Sequence, residues 1–198
     1  MKRLPIGILG SGKGSNCRAI LESIRSGNLS VEARVVISDV LDAPILETAR
    51  EFSVANAYLP PGQFRTRLEP QAEEELVRML RDAGVHLVVL AGFMRVLHAT
   101  MLRAFPQRII NIHPSLLPKY PGLEAWKQAL GAGETVTGCT VHYIDEKVDH
   151  GQIIARREVA ILPHDTAESL HARIQIAEHE LYPAAIAGFS EKYAASSA

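Results

Sequence analysis

The sequence predicts an α/β fold with a Rossmann-like, doubly wound and mostly parallel sheet, helices on both faces and an antiparallel C-terminal hairpin. Three observations support this prediction. A short apolar strand, a glycine-rich loop and a helical pattern open the chain. Apolar runs then alternate with helical patterns, as in consecutive βαβ units. Two alternating segments that lie close in sequence follow near the end, as expected of a hairpin.

Composition favours one domain that handles small molecules. The chain has 198 residues, 47% of them hydrophobic, so we expect a single domain over residues 1–190 and a frayed tail over 191–198. A formal charge of -1 provides no basic surface for nucleic acid. No apolar run reaches the roughly 20 residues of a membrane span, and no signal peptide is recognisable. The two cysteines are too few for a disulfide framework or a cysteine-rich metal site, so we expect a cytoplasmic protein.

The first βα unit carries a candidate phosphate site. Its strand, residues 4–9, runs into a glycine loop, residues 10–16, and a helical pattern follows up to Gly27. Ser15 and Asn16 are expected to cap this helix. Glycines let the backbone approach a ligand closely, and the N–H groups of a first helical turn attract anions. The loop therefore predicts phosphate binding.

Two nucleotide-binding motifs nearly match the same loop. Residues 7–14 fit the P-loop pattern, but Gly14 stands where a Ser or Thr would hold magnesium. The glycines also begin a dinucleotide fingerprint, but Ser15 replaces its third glycine, although Asp39 could act as the ribose-binding acid. A kinase or another nucleotide-binding module is thus a competing prediction, against which Gly14 argues.

The next elements continue the alternation. They are a strand over 33–38, a helix over 44–52, a strand over 54–59, a loop over 60–67 and a helix over 70–83. In the last of these, Leu76, Met79 and Leu80 are predicted to face inward, and Gly84 ends the helix. The glutamates at 73–75 suit the helix dipole and predict a solvated acidic face.

The nearly uniform apolar run over 86–91 predicts a central parallel strand that is covered on both faces. Residues 92–97 leave this strand at the sheet edge where the glycine loop also lies. Open α/β sheets bind ligands at that edge. The apolar side chains of 92–97 could line a pocket for a flat aromatic ligand, or they could belong to the ordinary core.

A second polar site ends the following strand. Asn111 and His113 are two residues apart, so they share one face of the strand, with Ile110 and Ile112 on the other. Pro114 then stops the strand. A neutral amide beside an imidazole that titrates near neutral pH is a plausible clamp for an oxyanion. The alternative is that both side chains only satisfy backbone groups at the strand end.

The C-terminal third predicts a helix over 124–131, strands over 136–144 and 152–161, an acidic turn over 145–151 between them, and a last helix. Asp165 is expected to be the N-cap of this helix, paired with Glu168 three residues on. Its buried stripe is predicted to contain Leu170, Ile174, Ala177 and Leu181. Gln175 and Glu178 lie off that stripe and could reach a ligand.

Several segments occur in the order typical of one family. These are Gly14-Ser-Asn16, Leu90-Ala-Gly-Phe-Met-Arg95, Asn111-Ile-His-Pro-Ser-Leu-Leu-Pro-Lys-Tyr-Pro-Gly122, Gly138-Cys-Thr-Val-His142 and Val148-Asp-His-Gly151. Through them the chain resembles the folate-dependent formyltransferases over nearly its whole length. The glycine loop and the last helix resemble the branch that acts on glycinamide ribonucleotide.

The resemblance implies that 10-formyltetrahydrofolate, as co-substrate and without a metal, donates its formyl group to the glycine amine of glycinamide ribonucleotide. By the same resemblance Asn111 and His113 stabilise a tetrahedral oxyanion, and Asp149 assists proton transfer. Gly14, Ser15, Asn16 and Glu178 are the implied ribonucleotide-binding residues. The implied folate-binding residues are Arg67, Met94, Arg95, Val96, Leu97, Asp145, Glu146, Lys147 and Val148. A monomer or a homodimer is compatible with this function.

Three positions depart from the commoner pattern of the family. Lys13 could add charge near the phosphate, His150 could perturb the His113–Asp149 pair, and Cys139 stands where small residues are frequent. None of these differences removes an implied catalytic group.

Related enzymes are the nearest alternatives. A formyltetrahydrofolate deformylase uses water as acceptor, but it usually carries a regulatory domain and a histidine where Pro114 stands here. Sugar-nucleotide and methionyl-tRNA formyltransferases generally carry an additional C-terminal domain, which we do not expect in this chain.

Overall fold

A computed structural model describes residues 3–195 of the chain. Within this range the elements are β1 (Leu4–Leu9), α1 (Ser15–Arg25), β2 (Val31–Ser38), α2 (Pro44–Glu51), β3 (Asn56–Tyr58), α3 (Pro70–Asp82), β4 (Leu87–Leu90), α4 (Ala99–Ala104), β5 (Ile109–His113), α5 (Ala125–Gly131), β6 (Val136–Tyr143), β7 (Ile153–Ala160) and α6 (Ala167–Ala195).

The strands form one mixed sheet in the order β3-β2-β1-β4-β5-β6-β7. Neighbours from β3 to β5 are parallel, whereas β6 is antiparallel to both β5 and β7. The predicted fold class, including the antiparallel hairpin, is therefore confirmed. Strand order reverses between β1 and β4, and their carboxyl ends form the crevice in which open α/β sheets place their ligands.

Helices cover both faces of the sheet, because the strands are apolar on both sides. Side chains of α1, α2, α5 and α6 pack against one face, and those of α3 and α4 against the other. Strand β2 shows the alternation directly. Val36 belongs to the first cluster, and Val35 and Ile37 to the second.

Helix α4 and the buried position of Glu73 were not predicted. Glu73 is only 5% exposed, and its Oε1 accepts a hydrogen bond from the backbone N–H of His98, the residue before α4. The solvated acidic face is thus wrong at this residue, because the carboxylate satisfies a free N–H group of the next helix. Glu75 does lie toward solvent and pairs with Arg78 at 2.5 Å.

The start of α6 also differs from the prediction. Thr166 Oγ1 accepts from Ser169 N at 3.2 Å, and Ser169 Oγ accepts from Thr166 N at 3.0 Å. This reciprocal pair makes Thr166 the N-cap. Asp165 instead accepts from the guanidinium of Arg173, which lowers the pKa of its carboxyl to about 2.

Helix α6 continues through Pro183 to Ala195, so residues 191–195 of the expected tail are helical, and 196–198 lie outside the described residues. Glu178 is one of the buried residues of α6, contrary to its predicted place off the buried stripe. No helix between residues 3 and 195 combines the length and apolar character that a membrane span requires.

Candidate active site

Strand β5 presents its two polar side chains to the α3–α4 face of the sheet. Ile110 and Ile112 pack into the cluster on the opposite face, as the strand period predicts. Tyr182 of α6 donates its hydroxyl to the carbonyls of Leu90 and Ile110, at 2.9 and 3.1 Å. This buried contact joins the last residue of β4 to the second residue of β5.

The structure brings Asp149 to His113 although the two residues are far apart in sequence. Asp149 Oδ2 lies 3.3 Å from His113 Nδ1, and their side chains are only 10% and 6% exposed. The other ring nitrogen, Nε2, lies 2.9 Å from the carbonyl oxygen of Tyr120. Both ring nitrogens thus face acceptors, and both can donate only when the imidazole is doubly protonated and cationic.

The proline loop, residues 114–122, holds this pair in place. Gly122 N donates to Asp149 Oδ2 at 2.8 Å. Thr140 of β6 binds the beginning of the loop, because its hydroxyl donates to the carbonyl of Ser115 at 2.7 Å and accepts from Leu117 N at 3.1 Å. The geometry of the pair therefore depends on backbone groups of the loop, whose first residues are held by Thr140.

His142 is a site residue that the sequence analysis did not identify. It stands opposite Asn111 in the β5–β6 register, and its Nε2 lies 3.3 Å from Asn111 Nδ2. Its Nδ1 lies 2.8 Å from the carbonyl of Tyr143, to which it can only donate. Burial lowers the pKa of His142, against the opposing effect of this hydrogen bond. The lowered pKa favours the neutral imidazole, and with Nδ1 donating to Tyr143 its Nε2 can accept from the Asn111 amide.

The signal for His142 was present in the motif of residues 138–142, but a pattern of strand residues does not show which side chain opposes Asn111. Asp149 Oδ1 also lies 3.6 Å from His142 Nε2. The amide, the two imidazoles and the carboxylate thus form one contiguous polar group.

The glycine loop ends at Gly14, which is the N-cap of α1 with φ 74° and no side-chain cap. A Cβ at this position would lie 2.8 Å from the Ile45 side chain, in addition to the strain of a positive φ. Ser15 and Asn16 are helical rather than capping, which corrects the prediction for this helix. The N–H groups of the first turn are therefore available to an anion.

Asn16 links this helix to α6. Its Nδ2 donates to Glu178 Oε2 at 2.9 Å, while its buried Oδ1 has no hydrogen-bond partner within residues 3–195. Burial raises the pKa of the Glu178 carboxyl to about 7, and the hydrogen bond from Asn16 only partly offsets this. A carboxylate beside an unsatisfied amide oxygen is suited to a ligand that donates hydrogen bonds, such as an amine.

Residues implied in folate binding come together around segment 92–97. Arg67 and Val96 form a parallel bridge, with Val96 N donating to Thr66 O at 2.9 Å. Met94 is 59% exposed, whereas Leu97 is buried. The guanidinium of Arg95 is directed away from solvent and contacts the Asp39 carboxylate at 2.6 Å.

The acidic turn carries the remaining implied folate residues. Asp145 accepts from Lys147 N at 2.8 Å and lies 3.0 Å from His150 Nδ1. His150 thus pairs with Asp145 and not with Asp149. Ile144, just before the turn, packs in the same hydrophobic cluster as Leu97. Glu146, Lys147 and Val148 are exposed at the surface of the turn.

Neither cysteine is placed for nucleophilic chemistry. Burial raises the pKa of both the Cys17 and the Cys139 thiol to about 12, so each stays protonated. Within residues 3–195 no group of three or more His, Cys, Asp or Glu side chains is arranged to hold a metal ion.

The chain matches a family model and several known proteins. The model of the family described as "Formyl transferase" matches residues 4–186. The phosphoribosylglycinamide formyltransferase of Bacillus subtilis is 39% identical over 179 residues, which are 90% of this chain and 91% of that protein. The crystal structure of glycinamide ribonucleotide transformylase 1 from Symbiobacterium toebii superposes with a TM-score of 0.91 at 46% identity, covering 96% of this chain and 89% of that one.

Other relatives are much longer. The trifunctional purine biosynthetic protein adenosine-3 of Drosophila melanogaster is 45% identical over 188 residues. These residues are 94% of this chain but only 14% of that protein.

Proposed function

Because the chain is an enzyme of the formyl transferase family, we propose that it moves the formyl group of 10-formyltetrahydrofolate to the glycine amine of glycinamide ribonucleotide, in purine biosynthesis. One observation carries this proposal. Asn111, His113 and Asp149 meet at the carboxyl edge of the sheet, with the 3.3 Å contact between His113 and Asp149 at their centre. We also place the reaction in the cytoplasm and expect the enzyme to act as a monomer or a homodimer.

The chemistry requires donors for a developing negative charge. The amine attacks the formyl carbon, and the carbonyl oxygen becomes an oxyanion in the tetrahedral intermediate. Asn111 supplies an N–H donor whose orientation is fixed by His142. His113 supplies a second donor, strongest when the imidazole is protonated, once its contact with Tyr120 is exchanged for the substrate oxygen. Donors aimed at such an oxyanion act mainly on the transition state.

A proton must also move from the attacking nitrogen to the leaving nitrogen of the tetrahedral intermediate. The attacking nitrogen has to lose a proton, and the leaving nitrogen N10 has to gain one before the C–N bond breaks. Asp149 supports this transfer in two ways: its carboxylate stabilises protonated His113, and it can relay the proton through an ordered water. The products are the formamide of the ribonucleotide and tetrahydrofolate, so atoms balance without another reactant.

Binding of the ribonucleotide divides between two groups of residues. Gly14, Ser15 and Asn16 offer first-turn N–H groups to the phosphate. Glu178 receives the amine, next to the unsatisfied Oδ1 of Asn16. Since its pKa is raised to about 7, Glu178 can hold the ammonium form and also accept the proton that makes the amine nucleophilic.

The folate is proposed to lie between segment 92–97 and the acidic turn. Met94 and Val148 are exposed there, at 59% and 57%, and they offer apolar surface to a flat ring. Arg67, joined to Val96 by the bridge, can reach the acidic end of the folate.

A spectroscopic assay tests the reaction directly. Release of tetrahydrofolate from 10-formyltetrahydrofolate is followed with and without glycinamide ribonucleotide. Release that depends on the ribonucleotide and yields its formamide supports the proposal. Release of formate without the ribonucleotide would instead identify a hydrolase.

Replacing Glu178 with glutamine should weaken ribonucleotide binding and change the pH dependence of stability. A carboxyl group with a raised pKa stabilises the fold below its unfolded pKa of about 4.5, and this contribution is lost as pH rises through about 7. Glutamine does not ionise, so the variant does not lose this stability as pH rises. The difference in Tm between variant and wild type should therefore increase from pH 5 to pH 8. Calorimetric titration at pH 8, where Glu178 of the wild type is charged, should show that the variant binds the ribonucleotide more weakly than wild type does.

The exposed variant Glu74→Gln serves as the control and should change neither readout. An unchanged ribonucleotide affinity in Glu178→Gln would contradict the proposed amine contact.

Replacing His142 with alanine should lower kcat by about fivefold, with a small effect on the ribonucleotide KM. The substitution removes the acceptor that orients the Asn111 amide, and one neutral hydrogen bond contributes about 1 kcal/mol. Steady-state kinetics measure the effect, with exposed His164→Ala as control. A change confined to KM would show that His142 acts on binding and not on the donor geometry.

A further inference from the structure

Asp39 is a buried carboxylate between the glycine loop and segment 92–97. Its side chain is 2% exposed. Its Oδ1 accepts from Ser11 Oγ at 2.5 Å, and its Oδ2 accepts from Arg95 Nε at 2.6 Å. Each carboxylate oxygen therefore binds a different segment, and neither is free to act as a ribose-binding acid.

Ser11 completes the connection. Its hydroxyl oxygen also accepts from Met94 N at 2.8 Å, and its own N–H donates to Gly92 O at 2.9 Å. Ser11 lies in the loop that precedes the proposed phosphate contacts, and Met94 lies in the proposed folate wall. The two subsites are thus joined directly by Ser11, and a second time through Asp39, which binds both Ser11 and Arg95.

Arg95 extends this connection to the loop over 60–67. One of its terminal nitrogens donates to the carbonyl of Phe64. The same loop contains Arg67, which bridges to Val96. The Asp39 carboxylate thereby holds the guanidinium that joins segment 92–97 to the loop over 60–67.

We propose that Asp39 is a positioning residue that couples ribonucleotide binding to folate binding, an inference that rests on the proposed function. The glycine loop and segment 92–97 share one anchor. A ligand that orders one of these segments lowers the entropic cost of ordering the other, so each ligand increases the binding affinity of the other. The coupling is reciprocal by thermodynamic necessity. The carboxylate is the anchor, since its two oxygens contact Ser11 and Arg95.

The coupling factor is the ratio of ribonucleotide Kd values without and with saturating tetrahydrofolate, which lacks a formyl group and cannot react. Both titrations are done by calorimetry on the full chain. Wild type is expected to show a factor of at least about 5. Asp39→Asn keeps the side-chain size but loses the charge, and it should lower the factor toward 1, by roughly 2-fold or more.

Asp165→Asn is a matched control. The Asp165 side chain is 5% exposed and, like Asp39, binds one arginine and one serine hydroxyl, those of Arg173 and Ser169. It lies before α6 and touches neither the glycine loop nor segment 92–97. Loss of the Asp165 charge should lower the free energy of unfolding, while the coupling factor stays at the wild-type value.

Ser11→Ala is the second variant, in case Asp39→Asn does not fold. It keeps the Asp39–Arg95 ion pair but removes the hydroxyl between the two segments, so it should also reduce the factor. A factor unchanged in whichever of the two variants folds, or a wild-type factor of 1, overturns the inference while leaving the proposed function intact. If the wild-type protein binds neither the ribonucleotide nor tetrahydrofolate, both this inference and the proposed function are overturned.

Discussion

His113→Ala is expected to lower kcat for formyl transfer by roughly 10²- to 10³-fold, the usual effect of losing one oxyanion donor. The side chain is 6% exposed and is held between Asp149 and the Tyr120 carbonyl, so no neighbouring group can take its position. The ribonucleotide Kd should change little, because the residues proposed to bind the ribonucleotide, in the glycine loop and at Glu178, lie on elements other than this strand.

Steady-state kinetics and calorimetric titration of the same preparation provide the measurement. Exposed His164→Ala controls for the general effect of removing an imidazole. Should kcat and ribonucleotide affinity fall by the same factor, His113 would have a binding role and the oxyanion assignment would be wrong.

Asp149→Asn is expected to lower kcat by roughly 10²- to 10⁴-fold, the range for loss of a proton-transfer group. Asparagine keeps the size and can still accept from Gly122 N, which donates to Asp149 at 2.8 Å. It removes the negative charge beside His113 Nδ1, so the imidazole loses the carboxylate that would balance its charge when a proton is transferred to it. The pH profile of kcat should therefore change in shape as well as in height.

The measurement is kcat against pH for wild type and variant. Asp82→Asn is the control, because Asp82 belongs to an exposed ion pair with Arg78 and such pairs contribute little. A variant with lowered kcat but an unaltered pH profile would argue that Asp149 only shapes the proline loop.

Local periodicity explains why much of the fold could be predicted. Strand and helix patterns depend on nearest neighbours in sequence, so the αβ order, the hairpin and the shared face of Asn111 and His113 could be inferred from spacing alone. Asp149 could not be placed by spacing. Its assignment came from the resemblance to known formyltransferases, and its 3.3 Å contact with His113 is visible only in the fold.

Local rules failed where a distant partner competed with them. The helix dipole explained the position of Glu73 in sequence, but the side chain turns inward to the N–H of His98. Asp165 was a good N-cap candidate, but Arg173 binds its carboxylate and Thr166 caps the helix instead. In both cases the carboxylate is mostly buried and makes a charge-assisted hydrogen bond to a group outside its own helix turn. This hydrogen bond outweighs the preference that the helix terminus alone would give.

By itself the sequence determined the fold class, the edge of the sheet at which polar residues gather, and the family resemblance. The tertiary structure alone decided that His142 orients Asn111, that Glu178 is buried beside Asn16, and that Asp39 binds both Ser11 and Arg95. The physical reason is that periodicity fixes which face a side chain occupies, whereas partners and burial depend on how distant elements pack.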